Sequence, residues 1–435
     1  MNKKSFKAYN YLLKQLESGL WDDGSKFPGA RKLAIEAGCG FPLMQTVIEI
    51  LCQQGILVTK ARSGTYVAEN WRQRLLTSNI FIAQTPLREI ISRKNSLPDG
   101  LRISKKFNSG MFEIRVSHYL LSHYEEYYDL SEIFDELFPD KSDFFEEAIA
   151  PFYVGNKLCG IPFIFSPRIM LCNRKMFKEA NCPLPDKNWS WEEFIATLKK
   201  LQDKFPEKNV INLLDSIHHW STFLFRFGGK IYDPENGDPI KIDYPQSIKA
   251  LQSFAGLLRN FKTIEKTDNI NDFALFFSPR QNLYPYPENE INENFHPAQL
   301  PLPVGGLDTN NQAVDLLCVR KECSDIKLSK DFLKFMLSNK IQDFVANIGY
   351  GLPIRKSSTD KLKTSSESPL LKLYCAEIKN ISTEYHIFSP ELYRMISDGV
   401  TLSLQEKTDQ KIADSLHELG QALRMFLKIE NFRQK

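Results

Sequence analysis

Apolar residues recur at helical spacing near the start of the chain. Phe6, Tyr9, Leu12, Leu13, Leu16 and Leu20 fall on one face and predict an amphipathic helix. Gly19, Asp22, Asp23 and Gly24 break that pattern. Residues 31–37 form a second short helical stretch, and Gly38-Cys39-Gly40 is a tight turn, because glycine tolerates positive φ. Pro42 is placed to open a third helix, with Met44, Val47, Ile48 and Leu51 on its apolar face and Gly55 at its end. Two short alternating runs, 56–60 and 65–68, flank Ala61-Arg62-Ser63-Gly64 and predict a hairpin. The order helix, helix, turn, helix, hairpin is that of a winged helix-turn-helix.

Residues 69–78 are expected to be a linker, after which the texture changes. Short apolar runs at 80–82, 101–103 and 114–116 alternate with helical patterns such as 87–94, and this alternation predicts α/β layering. Ser190 and Glu193 make the capping box S-x-x-E, so a helix should start there. A last helix over 408–427 carries Ile412, Leu416, Leu419, Leu423 and Phe426 on one side.

With 435 residues the chain has room for two to three domains. Its net charge of +3 gives no global attraction for polyanions, but residues 1–68 hold nine Lys/Arg against five Asp/Glu. A small basic head on a near-neutral body points weakly to a polyanion reader at the N-terminus. The eight cysteines are scattered without a C-x-x-C pair and read as reduced thiols. The N-terminal stretch is basic but lacks a continuous apolar core and a small-residue cleavage site, and no run of 18 apolar residues occurs. A cytoplasmic location without a membrane partner is the expectation.

The first unit resembles the DNA-binding domain of the GntR family. That family's pattern runs L-P-S-x-R-x-L-A, then a turn and helix, then a Leu four residues before a Gly, then G-T-x-V. This chain has Phe27-Pro28-Gly29-Ala30-Arg31-Lys32-Leu33-Ala34, then Leu51 and Gly55, then Gly64-Thr65-Tyr66-Val67. It departs where the family has S-R-x-T, carrying Gly40-Phe41-Pro42-Leu43 instead. The resemblance implies contacts to double-stranded operator DNA from Arg31, Lys32, Gln45, Thr46, Lys60, Arg62, Gly64 and Thr65. Gln45 would reach a base, and Arg31 and the wing would hold phosphates or the minor groove.

The larger part resembles the family 1 extracellular solute-binding proteins, the maltose-binding-like receptors. Gly155-Asn156-Lys157-Leu158-Cys159-Gly160-Ile161-Pro162 matches G-K-x-Y-G-x-P, and Asn173-Arg174-Lys175-Met176-Phe177-Lys178-Glu179-Ala180 matches N-K-x-x-F-K-E-A. Trp191-Glu192-Glu193-Phe194 then matches W-x-E-F. The resemblance implies two α/β lobes, 79–167 with 314–350 and 168–313 with 351–435, crossing near 166–168, 311–315 and 352–355. The expected fold is thus α/β, an N-terminal winged helix-turn-helix plus a two-lobed periplasmic-binding-protein-like (type II) domain. Ligand would sit in the interlobe cleft. Sugar sites pair aromatic faces with a few polar anchors, so Phe163, Phe165, Arg168, His219, Trp220, Arg280, Tyr284, Asn311 and Tyr350 are the candidates, with His218 beside them.

No H-E-x-x-H, zinc-spaced Cys/His set, G-x-S-x-G or phosphate-binding loop occurs, and the paired glutamates at 125–126, 146–147 and 192–193 sit on helical text where neighbours do not face each other. The chain is therefore expected to be no enzyme and to need no cofactor or metal. The joined resemblances predict a homodimeric transcription regulator that senses a small effector, a carbohydrate by family. Two alternatives stay open: a GntR-type regulator carrying a pyridoxal-phosphate aminotransferase-like enzyme domain, or one carrying a LacI-like sugar domain.

Overall fold

One strand organises the molecule. Ile161–Asn173 is 13 residues long and buried along its whole length. Its first half pairs with the antiparallel strand Gln312–Val319 and the short strand Leu352–Pro353. Its second half pairs with Phe273–Pro279 and Phe295–Ala298. The switch of partners falls between Pro167, opposite Gln312, and Arg168, opposite Pro279. The computed structural model describes residues 3–69, 71–74, 79–92, 97–98, 101–103, 110–186, 189–233, 237–263, 269–382 and 389–433.

The first lobe extends the sheet outward through Phe112–Val116, Asn79–Ile82 and Arg102–Ile103. The second lobe adds Asn209–Ile211, parallel to Phe273–Pro279. Both faces of the long strand are covered in the second lobe. Ile169 and Leu171 join a core that runs back into the first lobe, whereas Met170 and Cys172 join a second core with Trp220, Phe254, Ile396 and Leu416. A strand buried on both sides reads as a continuous apolar run, which is why Ile161–Asn173 shows no alternation. The helix Trp191–Lys204 begins on the capping box, with Ser190 Oγ accepting from Glu193 N–H at 3.1 Å and Glu193 Oε2 accepting from Ser190 N–H at 2.7 Å.

The third crossing lies later than 352–355. Leu352 and Pro353 fold back onto Phe165 and Ile164 instead of leaving the lobe. The helix Lys356–Ser365 then stays on the first lobe, tied through Ser358 and Lys361 to Asp343. Only Pro369–Ala376 packs on the second-lobe sheet, where Tyr374 Oη donates to Ser278 O at 3.2 Å. Residues 351–365, expected in the second lobe, thus pair and bond with Phe165, Ile164 and Asp343. Gly351 is required at this fold-back, because a Cβ there would collide with Ile164 Cγ2. Gly351→Ala is expected to lower stability by about 1–3 kcal/mol, the typical cost of overpacking. A urea midpoint shifted down at unchanged slope would report it.

The N-terminal unit has its own core, built from Leu12, Leu16, Leu33, Met44, Val47, Leu51, Ile56 and Trp71. Three helices, Lys3–Glu17, Ala30–Glu36 and Phe41–Gln53, precede the hairpin Leu57–Lys60 and Gly64–Val67. The expected linker lies partly outside the described residues, and its described part, Trp71–Arg74, is a 3-10 turn. Trp71 is fully buried in the head and donates to Asp23 at 2.9 Å, so the head runs past 68. Arg72 joins head to first lobe, donating to Asp325 Oδ2 at 2.6 Å, and Ser324 donates to Glu17. The expected helix 87–94 is Thr85–Ser92, with 93 and 94 outside the described residues.

Candidate functional site

A cleft of about 410 Å³ opens where the strands cross between lobes. Its first-lobe wall includes Gln84, then Ser117 and His118 where the strand Phe112–Val116 gives way to the helix Ser117–His123. Asp315 and Tyr350 complete that wall. Arg168, Ser216, His218, His219, Gln281 and Asn282 face them from the second lobe. In open α/β folds, ligands bind beyond strand ends where the sheet order switches, and this cleft occupies such a place. A second concavity of about 430 Å³, lined by Leu213, Leu258, Arg259 and Gln405 among others, lies within the second lobe alone. Its arginine pairs with Asp409; the interlobe cleft, set where the strands cross, is the stronger candidate.

Arg168 is set by its backbone. Its N–H donates to Asn310 Oδ1 at 3.2 Å, and its carbonyl accepts from Asn310 Nδ2 at 2.8 Å. The same Nδ2 donates to the fully buried Glu377 at 2.9 Å, which fixes the amide in turn. The Arg168 guanidinium lies over the Phe277 ring, 5.6 Å from its centroid.

Three imidazoles line the cleft in neutral form. Burial pushes His218 and His219 down to about 3, helped by the positive charge of Arg168. Burial also lowers His118. The His118 and His218 rings meet edge to face across the cleft, 5.1 Å apart. His219 Nδ1 accepts from Leu214 N–H at 2.9 Å, so the neutral ring carries its proton on Nε2 and can donate it. Asp315 shifts the other way: burial raises its carboxyl to about 7, against a smaller lowering from Gln281. Burial also raises Tyr350, with Asp315 adding to the effect. The result is a wall of neutral donors and acceptors around one guanidinium. No group of three or more potential metal ligands occurs among the described residues.

Of the nine candidates named from the sequence, Arg168, His219 and Tyr350 line the cleft, and His218 joins them. Phe163, Phe165 and Trp220 are fully buried core residues. Arg280 turns away, donating to Glu288 at 2.8 Å and to Gly349 O at 3.1 Å. It therefore braces the turn that carries Tyr350. Tyr284 supports Tyr350 edge to face at 5.4 Å. Asn311 is buried and donates to Ser221 at 2.9 Å. Sequence reasoning missed Ser117, His118, Gln281 and Asp315. Asp315 had a legible signal: a lone carboxylate inside the apolar run Val314-Asp315-Leu316-Leu317-Cys318-Val319.

The residues expected to touch DNA are largely engaged within the head. Arg31 lies over the Phe41 ring at 5.6 Å, and Lys60 over Tyr66 at 4.5 Å. Thr46 donates back to Pro42 O at 3.1 Å, and Lys32 pairs with Glu36 at 3.9 Å. Arg62 and Gly64 take positive φ in the hairpin turn, and Thr65 O accepts from Phe27 N–H. Gln45 is exposed.

The family described as bacterial extracellular solute-binding protein matches residues 121–372, more than half of the chain. No curated protein matches the sequence. Solved structures give the fold. The GacH receptor of Streptomyces glaucescens superposes with a TM-score of 0.64 at 15% identity, covering 81% of this chain and 99% of that one. Maltose-bound MalE3 of T. maritima gives 0.63 at 15% identity, covering 80% and 99%. An ABC transporter solute-binding protein of Agrobacterium radiobacter, in complex with ribitol, gives 0.65 at 15% identity, covering 80% and 98%.

These matches correct four expectations. A DNA-binding transcription regulator, an operator as partner, a cytoplasmic location and the keywords built on them give way to an extracellular solute-binding assignment. The homodimer, inferred from the DNA reading, goes with them. So do the aminotransferase-like and LacI-like alternatives, since the matching family is neither. The physical reason is that the arrangement of a short head does not set the role of the much larger lobes, since a fold alone does not carry function. Among the described residues no single helix is long and apolar enough to cross a membrane.

Proposed function

The chain belongs to the bacterial extracellular solute-binding protein family, and from that premise we propose that its interlobe cleft captures a small hydroxylated solute for delivery to an ABC transporter. Such a protein is a binding component, not an enzyme. The observation that carries the reading is the cleft's lining. Neutral imidazoles, amides and hydroxyls converge at the crossing strands, the donor and acceptor mix that suits hydroxyl groups. Ligand pockets typically span about 300–1,000 Å³. At about 410 Å³ this one suits a monosaccharide, disaccharide or polyol better than a long oligosaccharide. Structural neighbours were solved with maltose and with ribitol, ligands of that class.

The test is a thermal-shift panel of monosaccharides, disaccharides and polyols on the full chain. At a hundredfold excess over its Kd, a true ligand should add about 2.7 kcal/mol. His219→Ala should weaken that ligand about tenfold or more by removing a buried donor. A panel that leaves the melting temperature unmoved would overturn the reading.

The division we adopt places the head at 3–74, the first lobe at 79–167 with 312–365, and the second at 168–311 with 366–433. We read the head as a winged helix-turn-helix in arrangement. Its support is the order of three helices and a hairpin, with Pro in the first turn of the third helix. The operator-reading role is not carried over.

A further inference from the structure

Two imidazoles meet across the cleft from opposite lobes. His118 is the second residue of the first-lobe helix Ser117–His123, and His218 is the second residue of the second-lobe helix Ile217–Arg226. Their rings stand edge to face, 5.1 Å between centroids and 65° between planes. His219 is held within its own lobe instead, by the Leu214 N–H and by an edge-to-face contact with Phe277 at 5.2 Å. The lobes are joined beneath the pair, where Ile161–Asn173 changes partners. Hinge opening about such a joint parts the facing walls, so the ring contact belongs to the closed arrangement alone.

Building on the capture reading above, we propose that the His118–His218 contact is a latch: it forms as the lobes close over a solute and holds them closed, so the pair positions the walls of the cleft. An edge-to-face aromatic pair changes an equilibrium constant by about two- to tenfold. The latch also has a fixed sign with pH. Closure encloses the rings, and an enclosed imidazole gives up its proton. Burial is the leading cause that puts His218 at about 3, and its place in the first turn of a helix disfavours an added positive charge as well. His118 shifts in the same direction but is exposed at the rim, so His218 carries the larger part. Opening returns His218 toward the ordinary 6.5, so below that value protons favour the open form and capture weakens as pH falls. Arg168, His219, Asp315 and Tyr350 line the same cleft, and Asp315 titrates in the opposite sense. Packed behind the pair, the helix Pro390–Leu404 carries Glu391, Arg394 and Asp398, and the helix Pro245–Asn260 carries Lys249 and Arg259. The strand before His118 carries the ion pair Glu113–Arg115, and the turn after its helix carries Glu125 and Glu126. All of these stay in place when one imidazole of the pair is replaced, so they cancel in a ratio of affinities.

The test uses the full chain and uncharged probes that do not titrate: D-glucose, maltose, ribitol and D-sorbitol. The tightest binder is carried through calorimetry at about pH 7.5 and about pH 5.5. At the higher pH, His118→Ala and His218→Ala should each weaken capture about two- to tenfold, and the double variant should lose little beyond the larger single loss, the mark of one shared contact. His218→Phe keeps a ring in place and removes the titration. Its affinity relative to the unaltered protein should rise about tenfold from the higher pH to the lower, the effect of one imidazole held neutral about one pH unit below 6.5. His118→Phe should move the same way by less, a readout that stands even if His218→Phe folds poorly, since His118 is exposed. Additive losses in the double variant would make the rings separate solute anchors and end the latch while leaving capture intact. So would a relative affinity of both Phe variants that does not change with pH. Failure of every probe to bind would end both readings.

Discussion

Arg226→Met is expected to destabilise the second lobe by about 3–5 kcal/mol, the usual cost of breaking a buried, fully bonded charge. Arg226 ends the helix Ile217–Arg226 and is 2% exposed. Its guanidinium donates to Leu300 O at 2.8 Å, Pro301 O at 3.0 Å, Thr309 O at 2.7 Å and Asp308 Oδ1 at 3.1 Å. Its own carbonyl accepts from Leu307 N–H at 2.8 Å. One side chain thus satisfies the loop that leads into Asn310 and the crossing strand. Methionine keeps much of the volume but donates nothing, and each orphaned carbonyl costs about 1–3 kcal/mol. Trp189, Trp191 and Trp220 all lie in the second lobe, so their fluorescence in urea reads this loss directly. Asp308→Asn is the control. Asp308 is 43% exposed, so its charge should matter by less than about 1 kcal/mol. If Arg226→Met unfolds at the unaltered midpoint, the carbonyls find other partners and the bracing role is wrong.

How much of this was legible in the sequence depended on what a local pattern can encode. Helical spacing of Tyr9, Leu12 and Leu16 became the helix Lys3–Glu17, and S-x-x-E at 190–193 became a complete capping box. Those signals are local, and no tertiary contact needs to be guessed. The fold-back after Tyr350 was not legible, because nothing in Leu352-Pro353-Ile354 reveals that the strand doubles back onto Ile164 and Phe165. That is a matter of pairing partners 187 or 189 residues away, which a local reading does not see.

The site was harder still. Aromatic residues near an expected hinge suggest ligand platforms, yet Phe163, Phe165 and Trp220 are fully buried. Burial on both faces of the long strand draws aromatics to the hinge for packing alone, so their presence does not separate the two roles. The residues that do line the cleft are mostly small or polar and sit where strands end and helices begin, as Ser117, His118 and Ser216 do. Periodicity is silent at such junctions. Arg280 illustrates the same limit: its place after Pro279 points toward the cleft in sequence, whereas its guanidinium donates to Glu288 and Gly349 O.

Asp315→Asn is expected to give the largest pH-dependent effect. The Asp315 carboxyl sits at about 7 in the folded protein against an ordinary 3.8. Between these values the native state holds a proton that the unfolded state has lost. Stability therefore falls by about 1.4 kcal/mol per pH unit across that window, or about 4 kcal/mol in all, and is level above it. Asparagine is the near-isostere that does not titrate. The stability gained by the substitution should be near zero at about pH 4 and grow to about 4 kcal/mol above pH 7. His218 and His219 act in the opposite sense. Their folded values are depressed to about 3, so their contribution is full above about 6.5 and is lost as pH falls. Both remain in the variant and cancel in the difference, which isolates Asp315 from its neighbours in the cleft, His118, Arg168, His218, His219 and Tyr350. Denaturant midpoints of the two proteins from pH 4 to 8 would trace the curve, and a flat difference would refute it.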